Sequence, residues 1–200
     1  ELKVVDFNTV LDFEKQLSTF WGSKFAVATD CCTHAIEICL RYKNYNDVSC
    51  PSRTYISIPI TFKKLNLTWK WNDKPWQDYY TIGNTNIIDA ATHWQKDGYV
   101  NDSYMCLSFQ YKKTLSLGRG GAILCNNEKD YIILKQMSHD GRDPFSQKLW
   151  YDQKISTIGY HYYMTPETAQ QGIDKMYKVK KTKTWSDQDY PLLTEYEILK

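Results

Sequence analysis

The sequence lacks several features that would assign it to a specialised class of protein. Its 200 residues contain no apolar run that approaches the length of a bilayer span, and the charged opening segment 1–6 is unlike a secretory signal. The 25 basic and 23 acidic residues nearly balance, which excludes the strong basic excess typical of nucleic-acid binders. We therefore expect one soluble domain with no membrane partner and no nucleic-acid partner.

The cysteines and histidines lack the spacing of a zinc site. There is no Cys-x-x-Cys pair, and the four histidines are scattered along the chain. Of the six cysteines, Cys31 and Cys32 are adjacent and the others lie in or beside apolar segments. This pattern predicts buried reduced thiols, no metal site and a cytoplasmic location.

What the sequence does contain is an alternation of short apolar runs with helical patterns. Apolar residues at helical spacing end at Gly22, and short strand patterns follow at 24–29, 47–50, 67–71, 86–89, 104–109 and 120–125. A later helix is predicted to begin at Thr165-Pro166 and to run towards Lys181. This alternation predicts an α/β domain over 1–181, followed by a polar extension over 182–200.

The segment from Ser108 to Leu124 places a lysine between a serine and a glycine-rich turn. Lys113 is followed by small turn-forming residues and an apolar strand pattern, which can hold its amine inside a pocket. A lysine enclosed in this way can form a Schiff base with a carbonyl compound. A basic side chain at the edge of a hairpin fits the same spacing, so the segment alone leaves both interpretations open.

Four more positions follow predicted strands or begin a predicted helix, so they can meet at one edge of the sheet. Thr33 is placed to bind a phosphate at a helix start or to act as an ordinary N-cap. Asp89 ends a buried run, where it needs a cation or a protonated ring nitrogen, or else caps a loop. Tyr55 can stack on a planar ligand or pack in the core, and Ser108 can bind phosphate or simply finish a strand.

Together these groups are the ones that a pyridoxal phosphate enzyme needs. From about residue 13 to residue 172, the chain resembles the DegT/StrS family of pyridoxal phosphate-dependent nucleotide-sugar aminotransferases. The most specific motifs are Ser108-Phe-x-x-x-Lys113, Gly118-x-Gly-Gly121 and Asp89-Ala-Ala91. The resemblance implies the large domain of a fold-type-I aminotransferase, with a mostly parallel sheet flanked by helices and a short C-terminal helical extension.

The resemblance also implies roles for individual residues. Lys113 would be the catalytic residue that forms the Schiff base with pyridoxal phosphate and moves a proton. Asp89 would pair with the pyridine nitrogen, and Tyr55 would stack on the ring. The remaining cofactor-binding positions correspond to Cys32, Thr33, Thr92, Ser108 and His161. Among these, Cys32, Thr33 and Ser108 match the phosphate-binding positions of the family.

The implied reaction transfers an amino group, typically from glutamate, to a keto group of a nucleotide-linked sugar. The implied assembly is a homodimer with shared active sites, in which the position of His161 reaches towards the partner's phosphate.

Several positions depart from the family pattern. Cys31-Cys32 replaces a small residue followed by glycine, Thr92 replaces His or Gln, and Arg119 replaces an acidic residue. The resemblance also leaves out the family's C-terminal small domain and a strand-helix segment between Asp73 and Asn86.

A second hypothesis is therefore a truncated, catalytically weak protein of the same fold that binds pyridoxal phosphate or a sugar. A third is a contact with nucleic acid or an anionic surface through the basic run 175–183, although that run is more typical of a solvated helix end.

Overall fold

The computed structural model describes residues 6–200, so the prediction about the opening segment falls almost wholly on residues 1–5, outside the described part. The helices are α1 (Phe7–Trp21), α2 (Cys32–Lys43), α3 (Ser57–Lys64), α4 (Glu128–Ser138) and α5 (Pro166–Lys175). The strands are β1 (Phe25–Thr29), β2 (Asp47–Pro51), β3 (Thr68–Asn72), β4 (Tyr80–Thr81), β5 (Ile87–Asp89), β6 (Tyr104–Ser108) and β7 (Gly121–Cys125).

Helix boundaries follow local capping chemistry. The Asp6 side chain accepts a hydrogen bond from the backbone N–H of Asn8 at the start of α1, and Gly22 ends that helix in the left-handed conformation at φ 78°. Thr165 caps α5, with Pro166 at its first position. The predicted helix end at Gly22 and the predicted helix start at Thr165 are therefore confirmed, and each of them depends on a few adjacent residues.

The described strands form a mixed sheet in the order β1-β7-β6-β5-β4 and a separate parallel pair, β2-β3. The expectation of a mostly parallel sheet needs correction, because β7 runs antiparallel to both of its neighbours and β4 runs antiparallel to β5. The chain therefore reverses direction between β4 and β5 and again between β6 and β7, on either side of the β5-β6 parallel pair. The strands β1, β5 and β6 nevertheless share one direction, so their carboxyl ends lie at the same edge.

Two apolar layers cover the two faces of this sheet. Alternate residues of each central strand contribute to opposite layers, as Cys106 and Met105 of β6 illustrate. Helices α2, α3 and α4 pack on one face, and α1 and α5 pack on the other. This helix-sheet-helix arrangement confirms the predicted α/β class and leaves the carboxyl edge of the strands free for a site.

A buried ion pair fastens the two helical layers to β1. Lys135 of α4 donates to Oε1 of Glu14 in α1 at 2.5 Å, and the same oxygen accepts from the backbone N–H of Ala28 at 2.6 Å. Burial raises the pKa of Glu14, while its contact with Lys135 opposes the rise. Removing either partner would leave an uncompensated charge in the core.

Helix α5 ends at Lys175, short of the predicted end near Lys181. Contacts from other parts of the chain explain the difference. The ammonium of Lys181 pairs with Asp78, and the backbone N–H of Trp185 donates to the same carboxylate at 3.0 Å. These bonds require an extended path, which overrides the helical preference of the lysine-rich segment. The helical structure of residues 182–200 consists of three short 3-10 helices, Asp187–Asp189, Leu193–Glu195 and Glu197–Leu199.

Candidate active site

A cavity of about 670 Å³ lies at the edge where β1, β5 and β6 end. Seven of the eight site residues proposed from the sequence line it: Cys32, Thr33, Tyr55, Asp89, Thr92, Ser108 and Lys113. They come from four separate segments of the chain, at residues 32–33, 55, 89–92 and 108–113. The fold therefore brings these residues together, although their individual roles stay predictions.

Lys113 lies on the loop between β6 and β7, where its backbone N–H donates to the carbonyl of Gln110 at 2.8 Å. Its Nζ lies 5.7 Å from the centre of the Trp185 ring. Burial lowers the pKa of Lys113 below its ordinary value, and the nearby charge of Asp89 opposes this shift. A lowered pKa increases the fraction of neutral amine, which is the nucleophilic form of lysine.

Two glycines of the Gly118-x-Gly-Gly121 motif shape the loop that carries Lys113. Gly118 has φ 80°, a conformation that glycine adopts without strain. At Gly121, a Cβ would lie 2.4 Å from the carbonyl carbon of Cys31 and 2.5 Å from the nitrogen of Cys32. A side chain at this position would therefore push strand β7 away from the beginning of α2.

Asp89 ends β5 with both of its carboxylate oxygens engaged. Oδ1 accepts from the backbone N–H of Ala91 at 3.0 Å, and Oδ2 accepts from the Tyr80 hydroxyl at 2.7 Å. Burial raises the pKa of Asp89, and the two hydrogen bonds and Lys113 oppose that rise. A cationic group placed in the cavity beside Asp89 would favour the carboxylate further.

The beginning of α2 faces the same cavity. The first backbone N–H groups of a helix have no partner within the helix, and the helix dipole favours an anion there. The Thr33 hydroxyl lies 2.9 Å from that of Ser57, so two hydroxyl groups stand beside these amides. Burial raises the pKa of the Cys32 thiol well above its usual value, which keeps this end of the helix free of thiolate charge.

The other predicted residues that line the cavity differ in exposure and in hydrogen bonding. Tyr55 is 60% exposed, so it belongs to the rim and not to the core. The Thr92 hydroxyl donates to the carbonyl of Asp78 at 2.7 Å. Ser108 accepts a long hydrogen bond of 3.4 Å from the backbone of Gln110.

His161 does not line the cavity in the single chain. Its Nδ1 lies 3.0 Å from Asp140, its Nε2 lies 3.0 Å from the Tyr163 hydroxyl, and the side chain is 70% exposed. A role at the cofactor would therefore have to come from contact with another chain.

The arginine that departs from the family pattern has a partner beside the cavity. Arg119 donates to Oδ2 of Asp30 at 2.8 Å, and His34 contacts the other oxygen at 2.7 Å. Burial opposes the charged imidazole, but hydrogen bonds with Asp30 and Cys31 raise the pKa of His34 to about 9. Asp30 thus joins the turn before α2 to the glycine loop.

The cavity residues that were not identified from the sequence include Trp76, Asp78, Tyr80, Trp185 and Tyr190. Trp185 and Tyr190 belong to the tail, which is fixed at separate points. The backbone N–H of Asp78 donates to the carbonyl of Trp185 at 2.7 Å, and Arg53 donates to the carbonyl of Tyr190 at 2.9 Å. For the four aromatic residues of this set, the only local signal is their aromatic character, which 16 tyrosines and seven tryptophans make uninformative.

A family model described as the DegT/DnrJ/EryC1/StrS aminotransferase family matches residues 3–68 and 89–195. The chain belongs to this family. The match confirms the resemblance drawn from the Lys113 and Asp89 motifs, and its gap at 69–88 contains three of the unforeseen cavity residues. A comparison with curated protein sequences gave no match.

Solved structures confirm the fold-type-I architecture. AtS13 from Actinomadura melliaura is 15% identical with a TM-score of 0.72, and the alignment covers 85% of this chain and 60% of AtS13. Helicobacter pylori PseC, an aminotransferase involved in the biosynthesis of pseudoaminic acid, is 14% identical with a TM-score of 0.66, and the coverage is 85% and 57%. This chain therefore spans about three fifths of these two relatives.

A third neighbour contains the cofactor. NtdA from Bacillus subtilis was solved with bound pyridoxamine phosphate, and it is 18% identical with a TM-score of 0.65. The alignment covers 84% of this chain and 47% of NtdA. The cofactor associated with this fold family is therefore pyridoxal phosphate together with its amino form.

Proposed function

We propose that this domain binds pyridoxal phosphate and transfers an amino group from glutamate to a keto group of a nucleotide-linked sugar. The observation that carries the proposal is the placement of Lys113 and Asp89 in one cavity, beside the free N-terminus of α2. Aminotransferase membership supports the reaction class, and PseC supports a sugar-related acceptor by analogy. The donor and the acceptor are part of the proposal.

The cavity fits the chemical groups of the cofactor. Its phosphate can bind at the α2 N-terminus, where Gly121 lets β7 approach the helix and where Thr33 and Ser57 present hydroxyls. Asp89 offers a buried carboxylate for the ring nitrogen, and Tyr55 offers an aromatic face. When bound, pyridoxal phosphate supplies an aldehyde that carries amino groups and a ring that stabilises a carbanion.

The residues of this chain have separate tasks in the proposed reaction. Nζ of Lys113, with its lowered pKa, can react as a free amine and can then take a proton from one carbon atom and return it to another. Asp89 would pair its carboxylate with the ring nitrogen, and the α2 amides would hold the phosphate. The aromatic side chains of Trp185 and Tyr190, which also line the cavity, would reduce water access.

We further propose a homodimer with shared active sites. Large side chains are concentrated on the surface between α4 and α5, where six are exposed: Phe145, Leu149, Trp150, Tyr151, Ile155 and Ile158. An apolar surface of this kind is typical of an interaction site, and contact there would also bring His161 close to another chain. Sedimentation equilibrium tests this part of the proposal, and a monomer at micromolar concentration would overturn it.

A reducing location such as the cytoplasm is consistent with the thiols. All six cysteines lie within the described residues and are unpaired, and five of them are buried.

The reaction is tested by visible absorption of the protein loaded with pyridoxal phosphate. Glutamate should remove the band of the lysine-bound cofactor, and a keto-sugar nucleotide should restore it. Lys113→Ala should abolish both changes, whereas the adjacent Lys112→Ala should retain them. A band that glutamate leaves unchanged would show a protein that binds the cofactor without transferring amino groups.

A further inference from the structure

Tyr80 has a position that the proposed function does not use. Strand β4 pairs with β5 in a register that places Tyr80 directly opposite Asp89. Side chains of opposed residues in an antiparallel pair point to the same face, so the tyrosine reaches its partner across the ladder. The hydroxyl of Tyr80 donates to Oδ2 of Asp89 at 2.7 Å, and both side chains are buried.

The hydrogen bond continues to a third buried residue. The Tyr80 hydroxyl also lies 2.6 Å from Oγ1 of Thr54, whose side chain is buried in the segment after β2. An ionised carboxylate only accepts hydrogen bonds, so the single Tyr80 proton is directed to Asp89 and Thr54 must donate to Tyr80. The direction of the chain is therefore Thr54 to Tyr80 to Asp89 whenever Asp89 carries its charge.

This network opposes the free-energy cost of burying a charged carboxylate at Asp89. Burial raises the pKa of the carboxyl group, and the hydrogen bond from Tyr80 acts in the opposite direction. The same bond restricts rotation of the carboxylate, because Oδ2 is held by Tyr80 while Oδ1 is held by the Ala91 amide. Each oxygen retains a lone pair for a ligand in the cavity.

We propose that Tyr80 is a positioning residue that holds Asp89 as an oriented carboxylate for the ring nitrogen of the cofactor. The proposal rests on the proposed function, since it assumes that pyridoxal phosphate occupies the cavity. Tyr80 lies in the segment 69–88 that the family model leaves unmatched, so the match itself says nothing about this residue.

The test compares two cofactors in binding experiments that need no turnover. One is pyridoxal phosphate, and the other is its deaza analogue, in which a C–H group replaces the ring nitrogen. Tyr80→Phe keeps the aromatic ring and removes the hydroxyl. It should weaken pyridoxal phosphate binding about tenfold, the size expected for a hydrogen bond to a charged group. Binding of the analogue should change less than twofold.

Control variants separate this role from a structural one. Tyr79→Phe removes the hydroxyl of the exposed neighbouring tyrosine and should leave both dissociation constants unchanged. Asp89→Asn should weaken pyridoxal phosphate binding more than Tyr80→Phe does, again with a smaller change for the deaza analogue. Thr54→Val keeps the side-chain volume and removes the hydroxyl, so it tests the network if Tyr80→Phe folds poorly. This variant should also weaken the binding of pyridoxal phosphate more than the binding of the deaza analogue.

Equal losses for the two cofactors in Tyr80→Phe would mean that Tyr80 only supports the structure. Unchanged binding of both would also overturn the proposal. Failure of the wild-type protein to bind pyridoxal phosphate at all would instead overturn the proposed function, so the two failures are distinguishable.

Discussion

The two walls of the cavity are built in different ways. The inner wall consists of strand ends and the start of α2, with Asp89 and Cys32 buried against the sheet. The outer wall consists of the segment around Trp76 and the tail residues Trp185 and Tyr190, whose backbone carbonyls accept hydrogen bonds from Asp78 and Arg53. The inner wall is therefore part of the core, whereas the outer wall is attached to it and can vary independently.

This difference suggests a division of function. The inner wall contains the groups proposed to bind the cofactor, and those groups lie in segments that the family model matches. The outer wall borders the side from which an amino acceptor would enter. We expect changes in the inner wall to alter cofactor binding and changes in the outer wall to alter access to the cavity.

Among the variants that test the difference between the two walls, Leu193→Ala is expected to have the largest effect on local stability. Leu193 is 1% exposed, and its backbone N–H donates to the carbonyl of Ser52 at 2.9 Å. Truncating a buried leucine costs about 2–5 kcal/mol. Hydrogen exchange should therefore accelerate across residues 182–200, while amides of β5 and β6 remain protected.

A control for this variant lies in the same tail. Ile198 is 64% exposed, so Ile198→Ala should leave exchange unchanged. If Leu193→Ala reduced protection in β5 and β6 as much as in the tail, the two walls would form one cooperative unit and the comparison would fail.

A smaller effect on the free energy of unfolding is expected from His34, which lies where the turn before α2 meets the glycine loop. Hydrogen bonds with Asp30 and Cys31 outweigh burial and raise the pKa of His34 to about 9, above its ordinary value near 6.5. The charged imidazole therefore stabilises the fold fully below pH 6.5, and this contribution is lost as pH rises through about 9. Because the pair is partly exposed, its size is on the order of 1 kcal/mol or less.

Urea unfolding of His34→Asn measures this contribution. The variant should be less stable than the wild type at pH 6 and should approach it at pH 9.5, with His161→Asn as the exposed control. A stability difference that stayed constant between these pH values would refute the assignment of the raised pKa.

The sequence predicts the inner wall well because its signals are local. A buried strand followed by Asp89, a helix start at Thr33 and the glycine loop after Lys113 can each be identified from a few adjacent residues. Strand direction is not local in this sense, since a buried run such as β7 has the same residues whether it pairs parallel or antiparallel with its neighbours. This is why the sheet was expected to be mostly parallel.

The outer wall could not be predicted because it depends on contacts between distant residues. Tyr80 is identified only by the β4-β5 register, and Trp185 only by its bonds to Asp78 more than 100 residues earlier in the chain. The early end of α5 has the same origin, since Lys181 also pairs with Asp78. Contacts between residues so far apart in the sequence produce no periodic pattern of apolar residues, so they cannot be predicted from such a pattern.

The most direct test of the account is to identify the lysine that reacts with the cofactor. The wild-type protein is loaded with pyridoxal phosphate, reduced with borohydride and digested, and the modified peptide is sequenced by mass spectrometry. We predict a phosphopyridoxyl group on Lys113 alone, its retention in Lys112→Ala and its loss in Lys113→Ala. Modification of Lys112, or of many lysines equally, would contradict the assignment of Lys113 as the reactive amine of the site.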